Sequence, residues 1–249
     1  MMALCWGRVI AAIEAGPPPR RAHARDRMGE RAPYRSLVTD VDVFIDPSCP
    51  WAWNVSRWLR AVAPQRDLSV SWRSYCLEIR DEGAVPSGVP EANRRAMREG
   101  RALAHRMLRV FEAARATVGE EAVDRLYTEW GRRFIRGHEN PDAHWLSESV
   151  DAAGLDANLL TAADDEAWDA QILASMHRAY SFGGPKTQTP VVVIAGDPPR
   201  GLKGPVIAAV PTGDAALRLW DAVDTLSAEP GFFELTRPRT SPPRPAPAD

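Results

Sequence analysis

The sequence predicts an α/β protein whose strands are divided into two groups by a long helical insertion. Three patterns support this fold class: a strand–helix–strand unit within residues 41–75, helical periodicity over residues 86–183, and a return to strand patterns after residue 190. The 249 residues suffice for one domain that carries an insertion. Hydrophobic residues make up 45% and charged residues 26%, as in ordinary globular proteins, and no apolar run is long enough to span a membrane.

The first three elements form a βαβ unit. Residues 41–45 are a β-rich run that Asp46-Pro47 ends. Apolar residues recur at helical spacing from Pro50 onward, and proline is favoured in a first helical turn. Residues 68–75 alternate apolar and polar side chains, as a half-buried strand does. The helix between the two strands has the size of a crossover, which predicts that the strands are parallel.

The helical insertion is followed by a second group of strands. Apolar stripes at helical spacing run through residues 86–183, which predicts helices only. Strand patterns follow at residues 190–194 and 206–209, and Thr212 then caps a last helix. Because strands alternate with helices, we expect a sheet of parallel strands.

Both ends of the chain differ from the middle in composition. Residues 1–38 are rich in arginine and sustain no apolar period, which predicts a disordered extension, and Met28 is an alternative start. Proline recurs from Pro238 to the end, which predicts an extended tail. The predicted organisation is a disordered extension (1–38), a sheet domain (39–85 and 184–228), a helical insertion (86–183) and a C-terminal arm with a Pro-rich tail (229–249).

Charge and cysteine content exclude several classes of function. The net charge of −2 argues against nucleic-acid binding, and we expect neither a membrane nor a metal partner. His138 and His144 lack the spacing of a zinc site. Three cysteines (Cys5, Cys49 and Cys76) fit a reducing compartment, and no secretory signal is recognisable, so we expect a cytoplasmic protein.

Cys49 is the candidate nucleophile. The run Cys49-Pro50-Trp51-Ala52 places it at the N-terminus of the first helix, where free backbone N–H groups and the helix dipole favour a thiolate. The alternative is a small buried side chain without chemistry. Thr189-Pro190 at the start of a strand favours the first interpretation, because thioredoxin-type folds place a cis X-Pro bond opposite the reactive cysteine.

Together these motifs resemble a DsbA-like thioredoxin-fold protein, and more closely the mycothiol-dependent nitroreductase family of actinobacteria. The similar segments lie between residues 39 and 243 and include Asp46–Trp53, Ser56–Trp58, Gly204–Val206, Leu219–Asp221 and Phe232–Leu235. The resemblance implies a thioredoxin-like fold, a thiol-dependent oxidoreductase with Cys49 as nucleophile, and a homodimer. We also expect Thr189 and Pro190 to bind substrate or a thiol, beside the motif residues Pro50, Trp51 and Ala52. Trp53 is a further candidate for this binding, and the two tryptophans either line an aromatic cleft for a flat substrate or simply pack.

One departure from the family concerns the second cysteine. This chain has Ala52 where the family has a cysteine that releases the intermediate. The resemblance therefore implies a monothiol enzyme without a tightly bound cofactor, in which mycothiol or glutathione acts as co-substrate. Cys76 is a possible second thiol or simply a buried residue. A kappa-type thiol transferase, an isomerase and a non-catalytic binding protein or chaperone remain as alternatives.

Overall fold

A computed structural model describes residues 38–137 and 141–248, so the predicted extension lies outside the described residues except for Val38. A four-stranded sheet forms the centre, in the order β2-β1-β3-β4. Its strands are β1 (Thr39–Ile45), β2 (Leu68–Ser74), β3 (Val191–Ile194) and β4 (Arg200–Lys203). All four residues of β3 are buried, which agrees with its run of β-branched side chains.

The elements between β2 and β3 are helical throughout the described residues, as predicted. The helices are α1 (Pro50–Arg66), α2 (Leu77–Arg80), α3 (Glu91–Thr117), α4 (Glu120–Gly137), α5 (His144–Ala152), α6 (Asp169–Gly183) and α7 (Gly213–Ala228), with 3₁₀ turns at Ala157–Asp164 and Glu166–Trp168. No described helix is both long and apolar enough to cross a membrane.

The sheet is mixed, which corrects the prediction of parallel strands. β1 and β2 are parallel, with Val43 opposite Trp72, as predicted. β3 is antiparallel to β1, and β4 is antiparallel to β3. The link between β3 and β4 spans only residues 195–199, which is too short for the crossover that a parallel pair requires.

The position of the fourth strand also differs from the prediction. Residues 206–209 were expected to form it because they are apolar, whereas the ladder with β3 uses Arg200–Lys203. Gly204-Pro205 ends that strand, since proline has no N–H to donate to a ladder. Residues 206–209 instead form a loop whose carbonyl groups contact α1, as described below.

Helices α1 and α4 approach closely beside the sheet. The Trp53 indole of α1 packs edge-on against the Tyr127 ring of α4, with 5.5 Å between the ring centroids. It also lies directly over Gly131, where a Cβ atom would stand 2.0 Å from Cζ3 of the indole. A residue with any side chain is therefore incompatible with this contact at position 131.

The substitution Gly131→Ala tests this packing. The added methyl group collides with the indole, so we expect the free energy of unfolding to fall by about 1–3 kcal/mol, the usual cost of overpacking. Chemical denaturation measures the change. Gly88→Ala is the control, because a Cβ there meets no atom within 4 Å. Unchanged stability for Gly131→Ala would contradict the close α1–α4 contact.

Candidate functional site

Cys49 lies at the junction of β1 and α1. A turn over residues 46–48 follows the strand, and Cys49 occupies the N-cap position of α1 with extended backbone angles (φ −89°, ψ 109°). Its N–H donates to the Asp46 carbonyl at 2.9 Å, and its carbonyl accepts from the Trp53 N–H at 3.0 Å. Pro50 fills the first helical turn, where no N–H is required. The predicted helix-start position of Cys49 is confirmed.

The Thr189-Pro190 segment faces Cys49 from β3. The peptide bond is cis, as predicted, and the Cys49 thiol points at the Thr189 carbonyl with 3.8 Å between sulfur and oxygen. The side-chain hydroxyl of Thr189 is buried and has no hydrogen-bond partner within the described chain. The site thus contains one polar atom that a bound molecule could satisfy.

The pKa of the Cys49 thiol is raised, whereas the helix start alone predicts a lowered value. Burial is the main cause, because Cys49 is only 6% exposed and desolvation disfavours the thiolate. The thiol–Thr189 contact and the Ala52 and Trp51 backbone amides act in the opposite direction, as expected at a helix N-terminus. In this enclosed state the cost of desolvation is the larger effect.

Asp46 also lies in the site. The sequence analysis names it only as part of a motif and assigns it no role. Its carboxylate is 1% exposed and accepts from the Ser48 N–H and hydroxyl at 2.7 and 2.5 Å. The other oxygen accepts from the Leu77 N–H at the start of α2, at 2.6 Å. Burial raises the pKa of this carboxyl group, and its charge raises the pKa of Cys49 and of Cys76. An aspartate directly after an apolar strand was the available signal.

The two candidate tryptophans have different surroundings. Trp51 is partly exposed, and the Arg239 guanidinium lies 5.1 Å from the centre of its ring. Trp53 is 1% exposed, and its indole N–H donates to the Ala246 carbonyl at 2.8 Å. Trp53 therefore packs inside the protein in this state and does not line an open cleft.

Asn54 is a further residue that sequence reasoning missed. It is fully buried, and its amide donates to the carbonyls of Ile207 and Ala208 at 3.1 and 3.3 Å. Its side-chain oxygen accepts from the Ala246 N–H at 3.1 Å. Asn54 thereby connects α1, the loop after β4 and the C-terminal arm. In the sequence, the only indication of this role is a polar residue among the apolar residues of the helix.

The position of the absent second cysteine is fully enclosed. Ala52 has no exposed surface, and Cys76, at the N-cap of α2, has none either. Both described cysteines are free. Desolvation, followed by the charge of Asp46, raises the pKa of Cys76. No group of three or more His, Cys, Asp or Glu side chains in the described part of the chain could hold a metal ion. His144 is exposed, and His138 lies outside the described residues.

The strand order, the cysteine at the start of α1 and the cis-proline opposite it define a thioredoxin-fold protein with a DsbA-like helical insertion. The sequence profile of the Rv2466c-like family, described as mycothiol-dependent nitroreductase Rv2466c, matches residues 48–237. The chain belongs to this family and is a thiol-dependent oxidoreductase.

The proteins similar to this chain include one sequence relative and several solved structures. The uncharacterized protein Rv2286c of Mycobacterium tuberculosis is 31% identical over 212 residues, which cover 82% of this chain and 84% of that protein. A candidate protein disulfide isomerase from Nitrosomonas europaea has a similar solved structure, with a TM-score of 0.51, 13% identity, and coverage of 75% of this chain and 97% of that chain. The DsbA of Chlamydia trachomatis gives a TM-score of 0.45 at 15% identity, over 83% of this chain and 100% of that chain.

Replacing Asp46 by asparagine tests the electrostatics of the site. Because the carboxylate charge raises the pKa of Cys49, Asp46→Asn should shift the pH midpoint of Cys49 alkylation to a lower value. Mass spectrometry of iodoacetamide-treated protein over a range of pH measures it. Asp40→Asn, an exposed carboxylate on the same strand, is the control and should leave the midpoint in place. An upward shift for Asp46→Asn would overturn the assignment.

Proposed function

We propose that this protein is a monothiol reductase in which Cys49 is the nucleophile and an external low-molecular-weight thiol completes each cycle. One observation carries the proposal: Cys49 stands at the start of α1 against the cis Thr189-Pro190 segment, while Ala52 offers no second thiol one turn later. Cys76 is enclosed and its pKa is raised, so it is poorly suited to replace that thiol.

The chemistry follows from a single reactive sulfur. The Cys49 thiolate attacks one sulfur of a disulfide substrate, a new S–S bond forms, and the other sulfur leaves as a thiolate. The thiolate of the external thiol then attacks the sulfur bound to Cys49, so that Cys49 is released and a mixed disulfide departs. Each exchange conserves electrons, and the helix N-terminus stabilises Cys49 as the leaving group.

The family description supports mycothiol as the external thiol, and glutathione is the chemical alternative. In this proposal the thiol is a co-substrate and no cofactor is bound tightly. Thr189 and Pro190 present backbone to it, and the unpartnered Thr189 hydroxyl supplies a hydrogen bond. We also propose a cytoplasmic location and a homodimer, which the family resemblance supports.

A thiol transferase is the second candidate. Ala52 favours it, because a transferase activates a thiol for attack on an electrophile and requires no second cysteine. The two candidates differ in the fate of Cys49, which forms a mixed disulfide in the reductase cycle and stays reduced during transfer.

Peptide mapping of oxidised protein tests the monothiol mechanism. After exposure to a disulfide of the external thiol, we expect an adduct on Cys49 and a free Cys76. Mass spectrometry without reduction detects both. A Cys49–Cys76 linkage would overturn the mechanism, and an unmodified Cys49 during turnover would favour the transferase.

The substitution Ala52→Cys should create a dithiol site and so tests the role of the second cysteine. The introduced thiol lies one helical turn from Cys49, so oxidation should join the two sulfurs, and reductase activity should depend less on added thiol. Ala52→Ser has nearly the same volume without a thiol and is the control. If both variants show the same thiol dependence, the absent second cysteine does not determine the mechanism.

A further inference from the structure

The end of the chain runs along the first turns of α1. We call residues 239–248 the strap. It begins where Arg239 lies over the Trp51 ring and continues to Arg244, whose N–H donates to the Ala208 carbonyl at 2.7 Å. At Ala246 the strap exchanges hydrogen bonds with α1: its carbonyl accepts from the Trp53 indole, and its N–H donates to the Asn54 side chain.

These contacts are those of an extended backbone seated in a groove. The side chains of Trp53 and Asn54 supply one donor and one acceptor, both directed at a single amide-bearing residue of the strap. Both side chains are buried, so without the strap each would lose a hydrogen-bond partner. The groove therefore recognises backbone amides rather than a particular side chain.

The strap is held by few bonds. Most of its residues are exposed, and a cavity of about 300 Å³ separates residues 245–248 from Gly131 and Ile135 of α4. Prolines at positions 242, 243, 245 and 247 keep the strap extended, which reduces the entropy lost when it docks. A segment of this kind can dock and leave without unfolding the helices beneath it.

We propose that the groove formed by α1 and the loop of residues 206–209 is a subsite for an extended, amide-bearing ligand, and that the strap occupies it in cis. Because the strap is tethered, its effective concentration at the groove is on the order of millimolar, so a ligand must compete with it. Release of the strap uncovers Trp53 and widens access to the first turn of α1, where Cys49 lies.

The subsite rests on the proposed function and deepens it, since the ligand that it would hold near Cys49 is an amide-bearing thiol co-substrate. The existence of the subsite can be tested without an activity assay. The full-length release variant Arg244→Pro/Ala246→Pro removes both N–H donors of the strap. The matched control Thr240→Pro/Ser241→Pro adds two prolines at exposed positions of the same strap.

Solvent exchange of the Trp53 indole N–H is the direct readout, measured by NMR with Trp53→Phe to assign the signal. We expect slow exchange in the native chain and in the control, and exchange at least tenfold faster in the release variant. A synthetic peptide of residues 238–249 should restore protection to the release variant, and the same peptide with proline at position 246 should not. Equal exchange in the release variant and the control would overturn the proposal, as would failure of the native peptide to protect.

Alkylation by iodoacetamide reports the effect on Cys49. The release variant should react several-fold faster at Cys49 than the control does, while Cys76 stays protected. A parallel increase at both cysteines indicates general loosening and overturns the gating role. If the native chain shows no reductase activity while the exchange results are as expected, the proposed function is wrong and the subsite proposal still stands.

Discussion

The buried Asp46 carboxylate is the interaction on which the site depends. It ties the turn after β1 to the N-terminus of α2 through Ser48 and the Leu77 N–H. The turn sets the position of Cys49, and the start of α2 sets that of Cys76. One charge therefore fixes the local backbone of both thiols and also disfavours their ionisation. Asp46 thus contributes both to the local order and, as a smaller effect than burial, to the raised pKa of the two thiols.

The raised pKa of Cys49 results from competition between two effects of the same fold. The N-terminus of α1 offers the Trp51 and Ala52 amides to a thiolate, and these lower the pKa. The same region is buried, beside the contact of Trp53 with Tyr127 and Gly131 of α4, and water is therefore removed from it. In the described state desolvation outweighs the amides. Admission of water or of a polar ligand would reduce the cost of desolvation, so an open site favours the thiolate.

The sequence predicts local elements better than it predicts how they are arranged. The βαβ unit, the Cys49 helix start and the Thr189-Pro190 strand start follow from periodicity and turn residues, and the structure confirms them. The antiparallel β3 could not be predicted, because strand direction depends on how the insertion returns the chain to the sheet. The role of Asn54 was equally hidden, since its partners lie more than 150 residues away in sequence.

Because Ala52 leaves Cys49 without a second thiol nearby, the burial of Cys49 has a chemical consequence. A dithiol site protects its nucleophile by closing a disulfide, whereas a single cysteine that meets an oxidant forms a sulfenic acid and can proceed to irreversible forms. Oxidation requires an accessible thiolate. A cysteine that is only 6% exposed and whose thiol has a raised pKa is protected on both counts. In the proposed monothiol mechanism, burial thus performs the protective role that a second cysteine performs in a dithiol site.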